Sequence, residues 1–181
     1  MGICPHGTEI FPANVKAPES EQFGAVRYRN FSNGPGADVF LSQTVLTLGT
    51  GPRVERNIVW AESNPFTFSY NAAAGQIMTT VGGQTLMFPT IANSNFDVIQ
   101  MFIRNRAPAG GQVLVTGLTL NGVPLPGTFT GGTEDTQFDI ICDLKDADGN
   151  FTLSGTILLI GPQSTSQEAS RVEFLVADNF L

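Results

Sequence analysis

The chain has 181 residues and a mass of 19.3 kDa, enough for one domain to bury a core without disulfides or metals. Hydrophobic residues are 41% and charged residues only 14%, a balance that excludes intrinsic disorder and coiled coil. Nine Lys and Arg against sixteen Asp and Glu leave a formal charge of −7, which argues against nucleic acid as a partner.

Residues 1–22 carry Pro5, Pro12 and Pro18 and few periodic apolar residues. Proline removes a backbone donor and blocks helix, so this stretch reads as an extended N-terminal arm, and an arm of this kind needs a surface to dock on. From Phe23 to the end, short apolar and polar alternations are punctuated by Gly, Pro, Asn or Asp, the pattern of a β-sandwich or barrel. Between Pro65 and Phe88 the spacing predicts a three-stranded meander. Phe66, Phe68 and Tyr70 share a face, Asn71 to Gly75 turns the chain, Ile77, Thr79 and Val81 return, and Gly82-Gly83 makes a tight hairpin.

Both alternating sets are apolar in Asp97 to Arg104, with Val98 and Phe102 on one side and Ile99, Met101 and Ile103 on the other. That predicts a central strand covered on both faces. Gln112 to Leu120 enters a type I′ turn at Asn121-Gly122, and Pro124 makes the return an edge. Thr136 to Leu144 and Asn150 to Ile160 flank a turn at Asp146 to Gly149, with Phe151, Leu153, Ile157 and Leu159 on one face. Ser170 to Val176 closes the domain. About ten to twelve strands and no long helix are expected. The fold class is all-β, an antiparallel β-sandwich, jelly-roll-like, with an arm at 1–22 and the sandwich at 23–181.

A catalytic relay needs an imidazole held on a rigid scaffold, and His6, the single histidine, lies on the arm. Cys4 and His6 alone cannot complete a tetrahedral metal site, so no metal and no cofactor is expected. Asp143, Asp146, Asp148 and Asn150 are spaced as oxygen ligands sometimes are, yet an EF-type register would place Leu144 and Gly155 at ligand positions; the cluster reads as an Asp-rich turn. Glu55, Glu62 and Glu173 are the carboxylates a glycosidase cleft would draw on, although nothing in the sequence pairs them. Trp60 is the residue for sugar stacking, while fourteen Phe read as core filling. Arg27/Arg29, Arg53/Arg56 and Arg104/Arg106 form near pairs suited to cross-strand salt bridges or to an anionic ligand.

Cys4 and Cys142 show no metal spacing and are either two unpaired thiols or a bridge that ties the arm, within one chain or between neighbours. Two sequons, Asn30-Phe31-Ser32 and Asn150-Phe151-Thr152, suit an extracellular setting. The start, MGICPHGTEI, has no signal-peptide pattern, and no apolar run reaches the roughly 18 residues of a membrane span.

The segments FTFSYNAAAGQIMTTVGGQTLMF (66–88), FDVIQMFIRNRA (96–107), VTGLTLNGVPL (115–125), FTLSGTILLIG (151–161) and SRVEFLV (170–176) resemble the choice-of-anchor class of exported bacterial β-sandwich domains. The resemblance implies a secreted, surface-attached sandwich and assigns no catalytic residue. The chain departs from that class in having no anchor after Leu181 and no signal before Met1. The expected function is that of a non-enzymatic extracellular structural protein self-associating through its arm into a surface assembly or filament. The alternatives are a carbohydrate-binding module or sugar-active enzyme using Trp60, and a viral capsid or decoration protein.

Overall fold

The computed structural model describes residues 15–90, 96–141 and 149–178. After a single 3₁₀ turn at Glu19–Glu21, the chain forms β1 (Gln22–Arg29), β2 (Val39–Ser42), the short helix α1 (Val45–Thr50) and β3 (Val54–Arg56). The meander follows as β4 (Ser63–Asn71), β5 (Gln76–Val81) and β6 (Gln84–Pro89). Then come β7 (Phe96–Arg104), β8 (Gln112–Leu120), β9 (Val123–Pro124), β10 (Thr128–Thr130), β11 (Thr136–Ile141), β12 (Phe151–Ile160) and β13 (Arg171–Asp178).

These strands make two antiparallel sheets packed face to face, an all-β sandwich. The first has the order β11-β7-β13-β1-β2-β3, and the second β10-β8-β12-β4-β5-β6, with β9 paired to β8. The expected meander and its turns are present. Gly82 and Gly83 have φ of 57° and 73°, and Asn121 and Gly122 have 50° and 79°, the left-handed pair that a type I′ turn requires. Among the described residues the thirteen strands exceed the expected ten to twelve because β3, β9 and β10, of two or three residues each, are too short to show a period. Helix α1, six residues long, escapes a periodicity search for the same reason. It is started by Thr44, whose hydroxyl accepts from the Thr47 N–H while Thr47 reaches back to the Thr44 N–H.

Phenylalanine dominates the space between the sheets. Phe66 and Phe174 sit 5.2 Å apart across it and Tyr28 and Phe66 5.5 Å, while Phe68 and Phe151, on neighbouring strands of the second sheet, meet at 5.7 Å. The buried Tyr28 hydroxyl reaches Thr79 Oγ at 2.6 Å; the Thr79 hydroxyl proton is committed to the Thr67 carbonyl, so Tyr28 donates. One hydrogen bond thus ties β1 to β5 through an otherwise apolar layer.

The first sheet is buried on its other side as well. Ile99, Met101 and Ile103 of β7 face the second sheet, and Val98 and Phe102 join an outer cluster with Ala17, Ala25, Phe40, Leu48, Leu175 and Ala177. Ala17 belongs to the arm and Leu48 to α1, so these two short pieces cap the sheet. Each large apolar side chain so enclosed is worth about 1.5–3 kcal/mol. Among the described residues no helix is long and apolar enough to cross a membrane.

Candidate functional site

The outer face of the first sheet holds the densest set of buried polar groups in the described structure. Gln100 on β7, Asp139 on β11 and Glu173 on β13 are each 0% exposed, and all three point away from the inter-sheet core. β7, β11 and β13 are neighbours, so the three side chains line one trench, and residues 15–17 of the arm meet Gln100 and Glu173 there.

Gln100 handles the arm as a neighbouring strand would. Its side-chain carbonyl accepts from the Ala17 N–H at 2.7 Å, and its amide donates to the Val15 carbonyl at 3.2 Å and to Asp139 at 3.1 Å. Gln22 completes the clamp, donating to the Ala17 carbonyl at 2.6 Å and accepting from the Val45 N–H of α1 at 2.8 Å. Glu19 accepts from the Leu46 N–H at 3.1 Å, which pins the 3₁₀ turn to the start of the helix. Apart from the Gln100–Asp139 bond, which joins two side chains, each of these contacts reads backbone on one side.

Charge adds a second anchor. Glu173 pairs with Lys16 through one carboxylate oxygen and with Arg27 Nε at 2.7 Å through the other, and the Lys16 ammonium also lies 4.8 Å from the Phe102 ring centre. Burial works to raise the Glu173 carboxyl, but the charges of Lys16, Arg27 and Arg171 outweigh it and hold the group below its ordinary range. Asp135 behaves alike: burial would raise it, and the Arg171 guanidinium, at 2.6 and 3.3 Å from its two oxygens, brings it down. Glu168 bridges Arg27, Arg29 and Arg171 at the end of the trench.

The residues singled out in the sequence fall elsewhere or in other roles. Cys4, Cys142, His6, Asp143, Asp146 and Asp148 lie outside the described residues. Trp60 is not a sugar platform: it is 4% exposed, its ring meets Phe31 at 4.9 Å edge-on, and its Nε1 donates to the Arg29 carbonyl. It plugs one end of the sandwich, where Asn33 bonds its backbone N–H and carbonyl at 2.6 and 3.0 Å. Nearby Asp38 accepts from Asn30 and the Ile58 N–H at 2.8 and 2.7 Å, and its burial pushes its carboxyl above the ordinary range.

Glu55 pairs with Arg53 on an exposed edge, Glu62 borders a hollow of about 300 Å³ beside Leu158 to Gly161, and Glu173 is enclosed, so these three carboxylates do not share a cleft. The arginine pairs meet carboxylates and carbonyls: Arg104 donates to the Glu168 and Ala169 carbonyls, and Arg106 pairs with Glu134 at 2.8 Å. The first sequon is closed in the fold, since Asn30 is 1% exposed and donates to the Gly34 carbonyl and Asp38. Among the described residues no three His, Cys, Asp or Glu side chains gather as metal ligands do.

Gln100 and Lys16 were legible only in outline. A lone amide inside the apolar run Val98 to Ile103 signals a buried hydrogen-bonding position, but not what it binds. No protein-family model matches the chain, and no curated protein matches it in sequence.

Proposed function

We propose that the chain is a non-enzymatic extracellular structural protein whose copies associate through the N-terminal arm into a surface assembly or filament. The observation that carries this reading is the trench on the first sheet, where Gln100 and Glu173 hold Val15 to Ala17 by contacts that depend on the arm's backbone and one lysine. A segment docked in this way makes identical contacts when it comes from a neighbour, the exchange by which domain-swapped assemblies form. Among the described residues the arm is held through Val15 to Ala17, mostly by polar contacts, so releasing it from one copy and seating it on the next disturbs little of the core between the sheets. A shell built from the same joint is the second form of the reading, that of a capsid or decoration protein, and electron microscopy tells shell from filament.

Light scattering tests the proposal. The full chain should scatter as an assembly, and loss of residues 1–22 should reduce it to a small species that keeps its β-type circular dichroism. Full-length Gln100→Ala, which keeps the arm but removes its clamp, should shift the mass in the same direction. Masses equal to that of the unaltered chain in both variants would sink the idea.

A further inference from the structure

Charged side chains are placed unequally on the two sheets. All seven strands of the second sheet, β4, β5, β6, β8, β9, β10 and β12, lack Asp, Glu, Lys, Arg and His, whereas the first sheet carries the Arg27, Glu173 and Arg171 network. On the outer face of the second sheet a row of hydroxyls crosses five neighbouring strands: Thr119, Ser154, Thr67, Thr80 and Thr85, each opposite the next. Apolar side chains share the face, with Met87, two residues from Thr85, 53% exposed and Ile160, at the far end of β12, 46% exposed.

We propose that this uncharged face is a contact surface for a second copy of the chain, packed sheet against sheet. The inference deepens the reading of self-association and rests on it, adding a joint that the arm does not make. Charge argues for the occupant. A chain of net charge −7 repels its copies, and this face is where two of them meet with no ionised side chain from a strand between them. Depletion of charge at the centre, with methionine present, is also the compositional mark of a protein–protein interface.

Size agrees. Six strands spaced about 4.8 Å apart and up to about 30 Å long offer roughly 500–700 Å² per copy, so a pair buries about 1,000–1,400 Å², the lower part of the range of specific interfaces. Sugar is the poorer occupant, because Phe66, Phe68, Tyr70, Phe129 and Phe151 of these strands are buried in the core and Phe88 is partly buried against it, so none stands as an open stacking platform. A self-complementary face joins copies in pairs, and exchanged arms join the pairs, which together extend an open polymer.

The test uses the full-length chain and sedimentation at matched concentrations. Thr80→Glu/Thr152→Glu places carboxylates on two exposed positions of the face, and Lys16→Ala weakens the arm. The unaltered chain should be polymeric, the face variant should fall to arm-joined species with association weakened about tenfold or more, and Lys16→Ala should fall to face-joined pairs. Thr80→Ser/Thr152→Ser should match the unaltered chain, and circular dichroism should show every variant folded.

A face variant with unchanged mass, while Lys16→Ala lowers it, overturns the face and leaves the arm. The reverse pattern upholds the face and overturns the arm, and a single-copy mass for the unaltered chain overturns both. Binding of a neutral polysaccharide by single copies, lost in the glutamate variant, would hand the face to a glycan and overturn the inference.

Discussion

Glu173 shows how one side chain carries two duties. Its carboxylate is enclosed, and both its oxygens are taken by cations, one from the arm and one from β1. Glu173→Gln removes the charge but not the bulk, taking from partly buried Lys16 its carboxylate partner and leaving Arg27 only the longer contact to Glu168 at 3.7 Å. Because both cations keep some contact with water, the expected loss is about 3 kcal/mol, the low end for a broken buried pair, read from the midpoint of urea denaturation. Trp60 makes a different prediction from the sugar-binding reading. Trp60→Ala should lower stability by about 3–5 kcal/mol, because it empties a core position and orphans the Arg29 carbonyl; a variant as stable as the parent would contradict the packing described. Tyr28→Phe isolates a single term, the inter-sheet bond to Thr79, and should cost about 1 kcal/mol with the aromatic packing kept.

At the scale of elements, the arm and α1 behave as one cap. Glu19 and Gln22 tie residues 17–22 to the first turn of the helix, so what loosens the arm should also loosen α1. Acid is such an agent. Glu173 in the fold titrates below its ordinary value of 4.5, and Asp135 below 3.8. A depressed carboxyl contributes stability that is whole above the unfolded pKa and is lost as pH falls through the folded one. Hydrogen-exchange protection at residues 15–21 and 45–50, measured against the intrinsic rate at each pH, should therefore stay high at neutral pH and fall together as pH drops below the ordinary Glu value of 4.5, ahead of the strands of the second sheet. Protection that stays high there until global unfolding would refute the coupling. The loop between β1 and β2 is expected to stay unmodified in a glycosylating host, since the Asn30 amide is engaged by Gly34 and Asp38, and peptide mass spectrometry would detect a glycan at that site.

For the whole molecule, the separation of charge has a consequence in solution. Copies of net charge −7 repel at long range, and salt screens that repulsion with a length of about 8 Å at physiological strength. Assembly through an uncharged face should then strengthen as salt rises, seen as increasing mass in sedimentation. A face held by cross-copy ion pairs would weaken instead. The two proposed joints also lie on opposite outer faces of the sandwich, which is the arrangement that lets one chain touch two neighbours at once.

Local chemistry is what the amino-acid sequence determined by itself. Positive-φ pairs at Gly82-Gly83 and Asn121-Gly122 mark hairpins because few other residues adopt that backbone, and the doubly apolar period of Val98 to Ile103 marks a strand covered twice because any other placement would leave one face wet. Only the tertiary structure decided what covers each face. A tryptophan reads alike whether it is a platform or a plug, and Trp60 became a plug when Phe31, Asn33 and Arg29 closed around it. Glu173 reads in the sequence as one of three carboxylates for a cleft, and only the fold brings Lys16, 157 positions away, onto it. The uncharged face was spread through seven separate segments between Ser63 and Ile160, and it became one surface only through pairings between strands distant in sequence. Turn preference and alternation act over a few residues, whereas burial depends on contacts that chain position does not specify.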